Sequence, residues 1–312
     1  MIHLSAIVPV ERPQPTLWAA LDGFLSQSLR PSSIEVIVVA GASVRLSVPA
    51  RLRQLKIRRV AWPRRKGLAA AINAGAAAAK SPVLVLLAPM WRPMPGLADY
   101  CLSFHADQPG AADTLMLAAS LAPGHVDDPL LWWLDQQQMA GLSSLSAGIH
   151  NWRALRLDAL SLKRALVIDA PLPEGEGDEW LIKTEWAKRA PLRVFVEQVP
   201  LLATAGKGDL GLVIEAEYRA ARARHRAMRA SSQAFAGEAV DDRFQNPEKY
   251  RLSSADRREL MATIGALERE LAGRNPRFAI GSEAEQFETL GKLYLVAISD
   301  ARSRGWADAR KQ

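Results

Sequence analysis

Short runs of β-branched and aliphatic residues alternate with segments of helical periodicity through the first ninety residues, and this alternation limits the choice of fold most. The apolar runs predict four strands, at Leu4–Val8, Glu35–Val39, Ile57–Ala61 and Val83–Leu87. Between them lie a segment with Leu17, Leu21 and Phe24 at helical spacing and an alanine-rich helix at Gly67–Ala79. Strands that alternate with helices predict an α/β fold, with a mostly parallel sheet flanked by helices.

The loops that follow these strands are the first place to look for a ligand site. Right-handed crossovers bring the carboxyl ends of parallel strands to one edge, where open α/β sheets bind their ligands. The segments at this edge are Pro9–Arg12, Ala40–Ser43, Trp62–Lys66 and Ala88–Arg92.

The last third of the chain is predicted to be helical. Ser253 or Ser254 is placed to cap a helix that carries Leu260, Ile264, Leu267 and Leu271. Ser282 and Glu285 form a capping-box pattern before a second amphipathic helix with Phe287, Leu290, Tyr294 and Ala297. Because residues 238–249 are polar and contain Pro247, we predict a domain at 1–235 and a helical C-terminal extension at 236–312.

Composition describes a soluble globular protein. The 312 residues are 49% apolar and carry a net charge of +7, and Cys101 is the sole cysteine, which excludes intrachain disulfides and multi-cysteine metal sites. The apolar runs are far shorter than a membrane span, so we expect a cytoplasmic protein, with peripheral contact at the inner face of the membrane as an alternative. The basic excess concentrates only on the helix with Arg219, Arg222, Arg226 and Arg229, so nucleic acid is not an expected partner.

Several segments, in the same order and spacing, resemble the family 2 glycosyltransferases, which have the GT-A fold. The matching segments in the first half are Ala6–Val10, Ser26–Ser28, Glu35–Val39, Gly67–Gly75 and Val83–Leu87. Further along, Asp158–Arg164 resembles the family's acceptor-side segment and Tyr218–Ala223 resembles a Tyr-Arg-rich helix of one subgroup. The resemblance covers roughly residues 4–230.

This resemblance implies inverting transfer of a sugar from a nucleotide diphosphate donor, with a seat for the nucleotide, a divalent cation and a base. The candidate residues for binding the nucleotide-sugar are Pro9, Val10, Glu11, Gly41, Arg64, Arg65, Lys66, Gly67, Asn73 and Arg92. The resemblance assigns the acceptor side to Ser161, Lys163 and Arg164. For the basic triplet at 64–66, a solvated loop is the alternative.

The sequence departs from the family at the metal site. Where the fourth strand should run into an Asp-x-Asp motif, the chain reads Ala88, Pro89, Met90, Trp91 and Arg92. Magnesium and manganese prefer hard oxygen ligands, which these side chains do not supply, so we expect no divalent metal. Arg92 is a candidate to replace the charge of the cation, and a surface arginine is the alternative.

The catalytic base is the second departure. The candidates are Asp178 and Glu179, whose order is the reverse of the family's Glu-Asp pair. Alignment on the following strand gives Glu179 the first acidic position and puts Trp180 in place of the aspartate, whereas alignment on the pair makes Glu179 the base. The alternative is an acidic helix N-terminus favoured by the helix dipole.

Together these features favour a catalytically degenerate glycosyltransferase-like protein that acts as a binding or scaffolding module in glycan assembly. The alternative is an active, metal-independent inverting glycosyltransferase that uses a nucleotide-sugar donor. The implied partners are a nucleotide diphospho-sugar and, through the C-terminal helices, a second copy or a partner glycosyltransferase.

Overall fold

Nine strands and nine α-helices make up the regular structure of the described residues. The computed structural model describes residues 1–63, 67–120, 127–143, 149–150, 152–174, 179–204, 208–230 and 246–311. The strands are β1 (Leu4–Val10), β2 (Ile34–Ala40), β3 (Lys56–Ala61), β4 (Val83–Leu87), β5 (Trp91–Pro93), β6 (Asp113–Ser120), β7 (Ile149–His150), β8 (Ala159–Lys163) and β9 (Arg193–Thr204). The helices are α1 (Leu17–Leu21), α2 (Gly67–Ala78), α3 (Leu97–Asp107), α4 (Pro129–Ser143), α5 (Arg164–Asp169), α6 (Glu179–Ala187), α7 (Leu210–Ala230), α8 (Ser254–Glu270) and α9 (Ser282–Arg310).

The strands form one mixed sheet in the order β3-β2-β1-β4-β8-β6-β9-β5, with β7 paired to β9. Strands β1 to β4, the first four along the chain, are mutually parallel, whereas β8 runs antiparallel to β4. This arrangement confirms the predicted α/β class. It also places the carboxyl ends of β1, β2 and β4 at one edge.

Strand β1 is longer than the sequence predicts, because Pro9 lies inside it. Pro9 pairs in register with Val39 of β2. On the other side, the pairing with β4 covers only Ser5 to Ile7. A proline is tolerated at this position because its missing N–H would point toward β4, where the hydrogen-bonded pairing has already ended.

Apolar clusters cover both faces of the parallel strands. Leu4, Ala6 and Val8 belong to one cluster, and Ile7 belongs to the cluster on the opposite face. All seven residues of β2 are buried. Strands buried on both faces need nearly continuous apolar runs, which is why the sequence revealed β1, β2 and β4 so clearly. Strand β3, at the edge of the sheet, is only partly buried and includes basic residues.

The chain divides into two compact units. The sheet unit comprises Met1–Ala122 and Gln138–Gly206, and the helical unit comprises Pro123–Gln137 and Lys207–Gln312. The predicted boundary between residues 235 and 236 lies outside the described residues. Among the described helices, none combines the length and the apolar character that crossing a bilayer requires.

The helical unit has its own apolar core, in which α8 and α9 pair as an antiparallel hairpin. Tyr294 of α9 is fully buried and donates a hydrogen bond to Glu268 of α8, with 2.8 Å between the oxygens. The predicted apolar faces also pack against side chains from α4 and α7. The buried members of this core are Leu130, Trp133, Leu210, Ile264, Leu271, Phe287, Leu290, Tyr294, Ala297 and Ile298.

The two predicted helix caps have different outcomes. Of the two predicted candidates Ser253 and Ser254, Ser253 is the N-cap of α8, and its Oγ accepts a hydrogen bond from the Asp256 N–H at 3.1 Å. The predicted capping box at Ser282 is wrong. Gly281 caps α9 instead, with φ at 56°, and Ser282 is the first helical residue. A residue in the left-handed region is readily supplied by glycine, so the backbone turn fixes this helix start.

Candidate active site

The ends of β1 and β2 bring part of the predicted nucleotide seat together. The Gly41 N–H donates a hydrogen bond to the Val10 carbonyl at 2.9 Å. A Cβ atom on Gly41 would lie 2.1 Å from the Glu11 carbonyl oxygen, so only glycine permits this close approach. Pro9, Val10, Glu11 and Gly41 therefore form one continuous patch at the carboxyl edge of the sheet.

The loop after β4, residues 88–90, is held in place by backbone hydrogen bonds. The Ala88 N–H donates to the Asp158 carbonyl at 2.8 Å, and the Thr16 hydroxyl donates to the Pro89 carbonyl at 2.9 Å. Its side chains carry no oxygen donor. Among the described residues, Asp158 brings a side-chain carboxylate next to this loop.

Asp158, Arg156 and Trp91 form the centre of a group that we call the Asp158 cluster. Arg156 donates to both carboxylate oxygens of Asp158, at 3.1 Å from Nε and 2.9 Å from Nη2. The Trp91 indole N–H also donates to Asp158, at 3.1 Å, and the Arg156 guanidinium lies 5.7 Å from the centre of the Trp91 ring. Burial opposes ionisation of Asp158, but Arg156 outweighs it and holds the pKa of that carboxyl below its usual range.

Glu179, the first residue of α6, joins the cluster from the other side. Its Oε1 accepts a hydrogen bond from the Leu157 N–H at 2.7 Å. One turn later Lys183 donates to the Leu155 carbonyl, also at 2.7 Å. Helix α6 is thus hydrogen-bonded at two points to the backbone just before Asp158.

The environment of Glu179 favours its protonated form. Burial raises its pKa, and the nearby negative charge of Asp158 raises it further, to about 7 in spite of the opposing charge of Lys183. Glu179 therefore exchanges a proton near neutral pH, which is the chemical property of a general base.

Two predicted residues of α2 have defined positions. Gly67 opens the helix with φ at 67°. The Asn73 amide is bonded at both ends to the Leu172 backbone, donating to its carbonyl at 2.8 Å and accepting from its N–H at 3.0 Å. Asn73 therefore holds the loop after α5 against α2. Arg64, Arg65, Lys66 and Asp178 lie outside the described residues.

Arg92 does not join the Asp158 cluster. In β5, Trp91 and Pro93 are buried while Arg92 is exposed, because successive side chains of a strand point to opposite faces. The Cγ atom of Arg92 lies beside Gly23, at 2.9 Å from the position that a Cβ would take there.

The three acceptor-side residues also lie away from the carboxyl edge. Since β8 is antiparallel to β4, Lys163 pairs with Val83 at the amino end of β4. Ser161 is buried, where it donates to the Leu84 carbonyl and contacts His105 at 2.9 Å. Lys163 donates to the Gln108 carbonyl at 2.5 Å. Arg164 donates to the Ala76 carbonyl at 2.9 Å. The fold thus does not bring these residues to the patch formed by Glu11 and Gly41.

The residues at this edge do not suit the divalent metal that the resemblance implies. Asp158 already uses both oxygens for Arg156, and loop 88–90 offers no oxygen from a side chain. Across the described parts of the chain, no three His, Cys, Asp or Glu side chains group closely enough to hold a metal ion. No chemical step is therefore assigned to a metal at this site.

Sequence reasoning did not single out Arg156 or Trp91, and it did not treat Asp158 as a site residue. The position of Asp158 along the chain indicates this placement only once the pairing of β8 is known. Asp158 directly precedes β8, and an antiparallel pairing of β8 with β4 sets Leu87 opposite Ala159. The residue before β8 then falls beside the loop after β4.

Comparison with known proteins agrees with this architecture. Residues 5–88 match the model of glycosyl transferase family 2, and no curated protein sequence matches the chain. The mannosyltransferase PcManGT from Pyrobaculum calidifontis, in complex with GDP-Man and Mn²⁺, is 17% identical with a TM-score of 0.52. That likeness covers 98% of this chain and 87% of the mannosyltransferase.

S. aureus TarS is a second similar structure, 12% identical with a TM-score of 0.50, over 97% of this chain and 55% of TarS. At these identities the likeness establishes the fold. The chain is therefore a glycosyltransferase family 2-like protein with the GT-A fold.

Proposed function

We propose that this protein is a catalytically degenerate glycosyltransferase, a module that binds a nucleotide diphospho-sugar without transferring the sugar. The observation that carries the proposal is the Asp158 cluster beside loop 88–90. The loop has no carboxylate, and the carboxylate next to it is bonded to Arg156 and Trp91. In this role the module joins a second copy or a partner glycosyltransferase through its C-terminal helices and serves glycan assembly.

The electrostatics of the leaving group support this proposal. A departing nucleotide diphosphate develops negative charge, which a cation or fixed donors must stabilise. Removal of one such stabiliser typically costs a factor of about 10²–10³ in rate. Arg156 does not supply this charge because its guanidinium is already paired with Asp158 in a two-bond arrangement.

The position of the predicted donor-binding residues supports a binding role. The patch of Pro9, Val10, Glu11 and Gly41 occupies the edge at which open α/β sheets bind ligands. The structurally similar mannosyltransferase holds GDP-Man. The ligand class we propose is therefore a nucleoside diphospho-sugar, bound without a metal.

A change in the loop tests the metal-free character of the site directly. Ala88→Asp combined with Met90→Asp supplies two carboxylates where the wild-type loop has none. We expect isothermal titration to detect Mn²⁺ binding by the double variant and none by the wild type. Specific Mn²⁺ binding by the wild type at this loop would contradict the proposal.

Glu179 favours a second candidate, an active metal-independent inverting transferase. A carboxyl group with a pKa of about 7 is suited to accept a proton from an acceptor hydroxyl at neutral pH. Charge on the leaving group would then be met by Arg92 or by the basic residues 64–66.

One experiment separates the two candidates. Uridine, guanosine and thymidine diphospho-sugars are titrated with and without Mn²⁺, and release of nucleoside diphosphate is followed for the wild type, Glu179→Gln and Glu185→Gln. Glu185 lies on the same helix but pairs with Lys188 at 2.6 Å, so it serves as the matched control.

Donor binding of equal affinity with and without Mn²⁺, with no release of nucleoside diphosphate, supports the proposal of a degenerate module. Turnover that Glu179→Gln abolishes and Glu185→Gln retains supports the active transferase. Failure of every donor to bind contradicts both.

A further inference from the structure

The loop between α8 and α9, residues 271–281, presents two large apolar side chains to solvent. Phe278 is 79% exposed and Ile280 is 82% exposed. Apart from Met1, no other large apolar side chain among the described residues is as exposed. Two such side chains only two positions apart expose an apolar patch that water disfavours.

The backbone of this loop is ordered by its own hydrogen bonds. The Asn275 side chain accepts from the Arg277 N–H at 3.0 Å, and the Asn275 carbonyl accepts from the Phe278 N–H at 3.0 Å. Ala279 has an extended backbone and packs against the apolar core of the helical unit. Phe278 and Ile280, on either side of this packed residue, are both exposed to solvent.

Charge distinguishes this loop from an ordinary apolar contact. Arg274 and Arg277 are exposed within it, and residues 271–281 contain no acidic side chain. The ion pair that Arg274 forms with Glu283 is long, with 3.9 Å between Nη1 and Oε1. The loop therefore combines an apolar tip with two cations, while the nearest carboxylates along the chain, Glu270 and Glu283, lie on the flanking helices. An apolar tip with adjacent cations is the pattern that complements anionic lipid headgroups.

We propose that this loop docks the protein on an anionic lipid surface. Phe278 and Ile280 enter the boundary between headgroups and acyl chains, and Arg274 and Arg277 contact lipid phosphates. A lipid surface fits better than a protein partner because a stable protein interface covers about 800 Å² on each side, more than two side chains supply. Reversible membrane docking needs only a small apolar insertion supported by basic residues.

Vesicle co-sedimentation tests the proposal with the full chain. We expect binding to vesicles that mix phosphatidylglycerol with phosphatidylcholine, and none to pure phosphatidylcholine. Phe278→Ser with Ile280→Ser should weaken binding at least about tenfold. Arg274→Gln with Arg277→Gln should weaken it about fivefold per arginine and reduce its sensitivity to salt.

Leu212→Ser is the matched control, because Leu212 of α7 is 62% exposed but lies outside the loop. It should bind like the wild type. No binding of the wild type to anionic vesicles, or equal binding by the Phe278/Ile280 double variant, would overturn the proposal. Self-association that the double variant abolishes, without vesicle binding, would also overturn it in favour of a second copy.

A fluorescent label gives an independent readout of insertion. Burial raises the pKa of Cys101 to about 12, so its thiol does not compete for a dye attached at Ile280→Cys. The emission of a polarity-sensitive dye at this position should shift to the blue on addition of anionic vesicles. The same dye at Leu212→Cys should not shift, and a shift of equal size there would contradict docking through the loop.

Discussion

Replacement of Glu179 by glutamine should change how the stability of the sheet unit depends on pH. Glutamine keeps an oxygen that accepts the hydrogen bond from the Leu157 N–H, and it removes the titrating group. Native Glu179 holds its proton to about pH 7, whereas the unfolded chain releases it near its ordinary pKa of 4.5. The wild type therefore loses stability as pH rises through this window, and Glu179→Gln should not.

The magnitude follows from the two pKa values of Glu179. With a pKa of about 7 in the native state and 4.5 in the unfolded state, the stability of the wild type relative to the variant falls by about 2.5 kcal/mol between pH 5 and pH 8. Asp158 has a lowered pKa, which makes stability fall at acid pH instead, but it is present in both proteins. Because the pKa of Asp158 lies below its usual range, Asp158 is ionised in both proteins from pH 5 to pH 8, and the difference over this window reports Glu179.

Urea unfolding followed by tryptophan fluorescence at pH 5 and pH 8 measures this difference. Glu185→Gln on the same helix removes an exposed carboxylate paired with Lys188, so it should change stability by no more than about 1 kcal/mol at either pH. A stability difference between Glu179→Gln and the wild type that is the same at pH 5 and pH 8 would refute the argument. It would mean that Glu179 is ionised in the native protein at pH 5.

Two further predictions concern packing. Gly305→Ala should destabilise the helical unit by about 1–3 kcal/mol because its Cβ would lie 2.2 Å from the Tyr218 carbonyl oxygen. Gly265→Ala on α8 should gain about 0.5–1 kcal/mol, because its Cβ would meet only the Arg269 side chain, at an ordinary contact distance of 3.5 Å. Thermal melts by circular dichroism compare the two, and equal melting temperatures would contradict the close approach of α7 and α9. Asn73→Ala should lower the free energy of unfolding by about 1–3 kcal/mol because it removes both hydrogen bonds to Leu172. An unchanged urea midpoint would contradict a stabilising role for these hydrogen bonds.

The sequence by itself was sufficient for the parallel half of the sheet. Strand β4 begins and ends where its apolar run does, at Val83 and Leu87, and β2 and β3 differ from the prediction by a residue or two at their ends. Strands β2 and β4 are buried along their whole length, so almost all of their residues are apolar and each run is visible without an alignment. The Ser253 cap was equally visible, because it joins residues only three positions apart.

Tertiary structure decided the features that depend on distant partners. Pro9 could lie within β1 only because the pairing with β4 ends at Ile7. Asn73 is bonded to a residue 99 positions away, which no local pattern indicates.

The candidate site likewise has some features that the sequence identified and others that only the tertiary structure determined. The sequence identified the loop after β4 as lacking carboxylates, and it selected Glu179 as a candidate base, since both statements concern residue types in order along the chain. That Asp158 lies beside this loop, paired with Arg156 and Trp91, follows from β8 running antiparallel to β4, and the same pairing carries Lys163 to the opposite edge. Strand direction is fixed by packing across the whole sheet rather than by the residues of one strand, so the tertiary structure alone determined which charges meet.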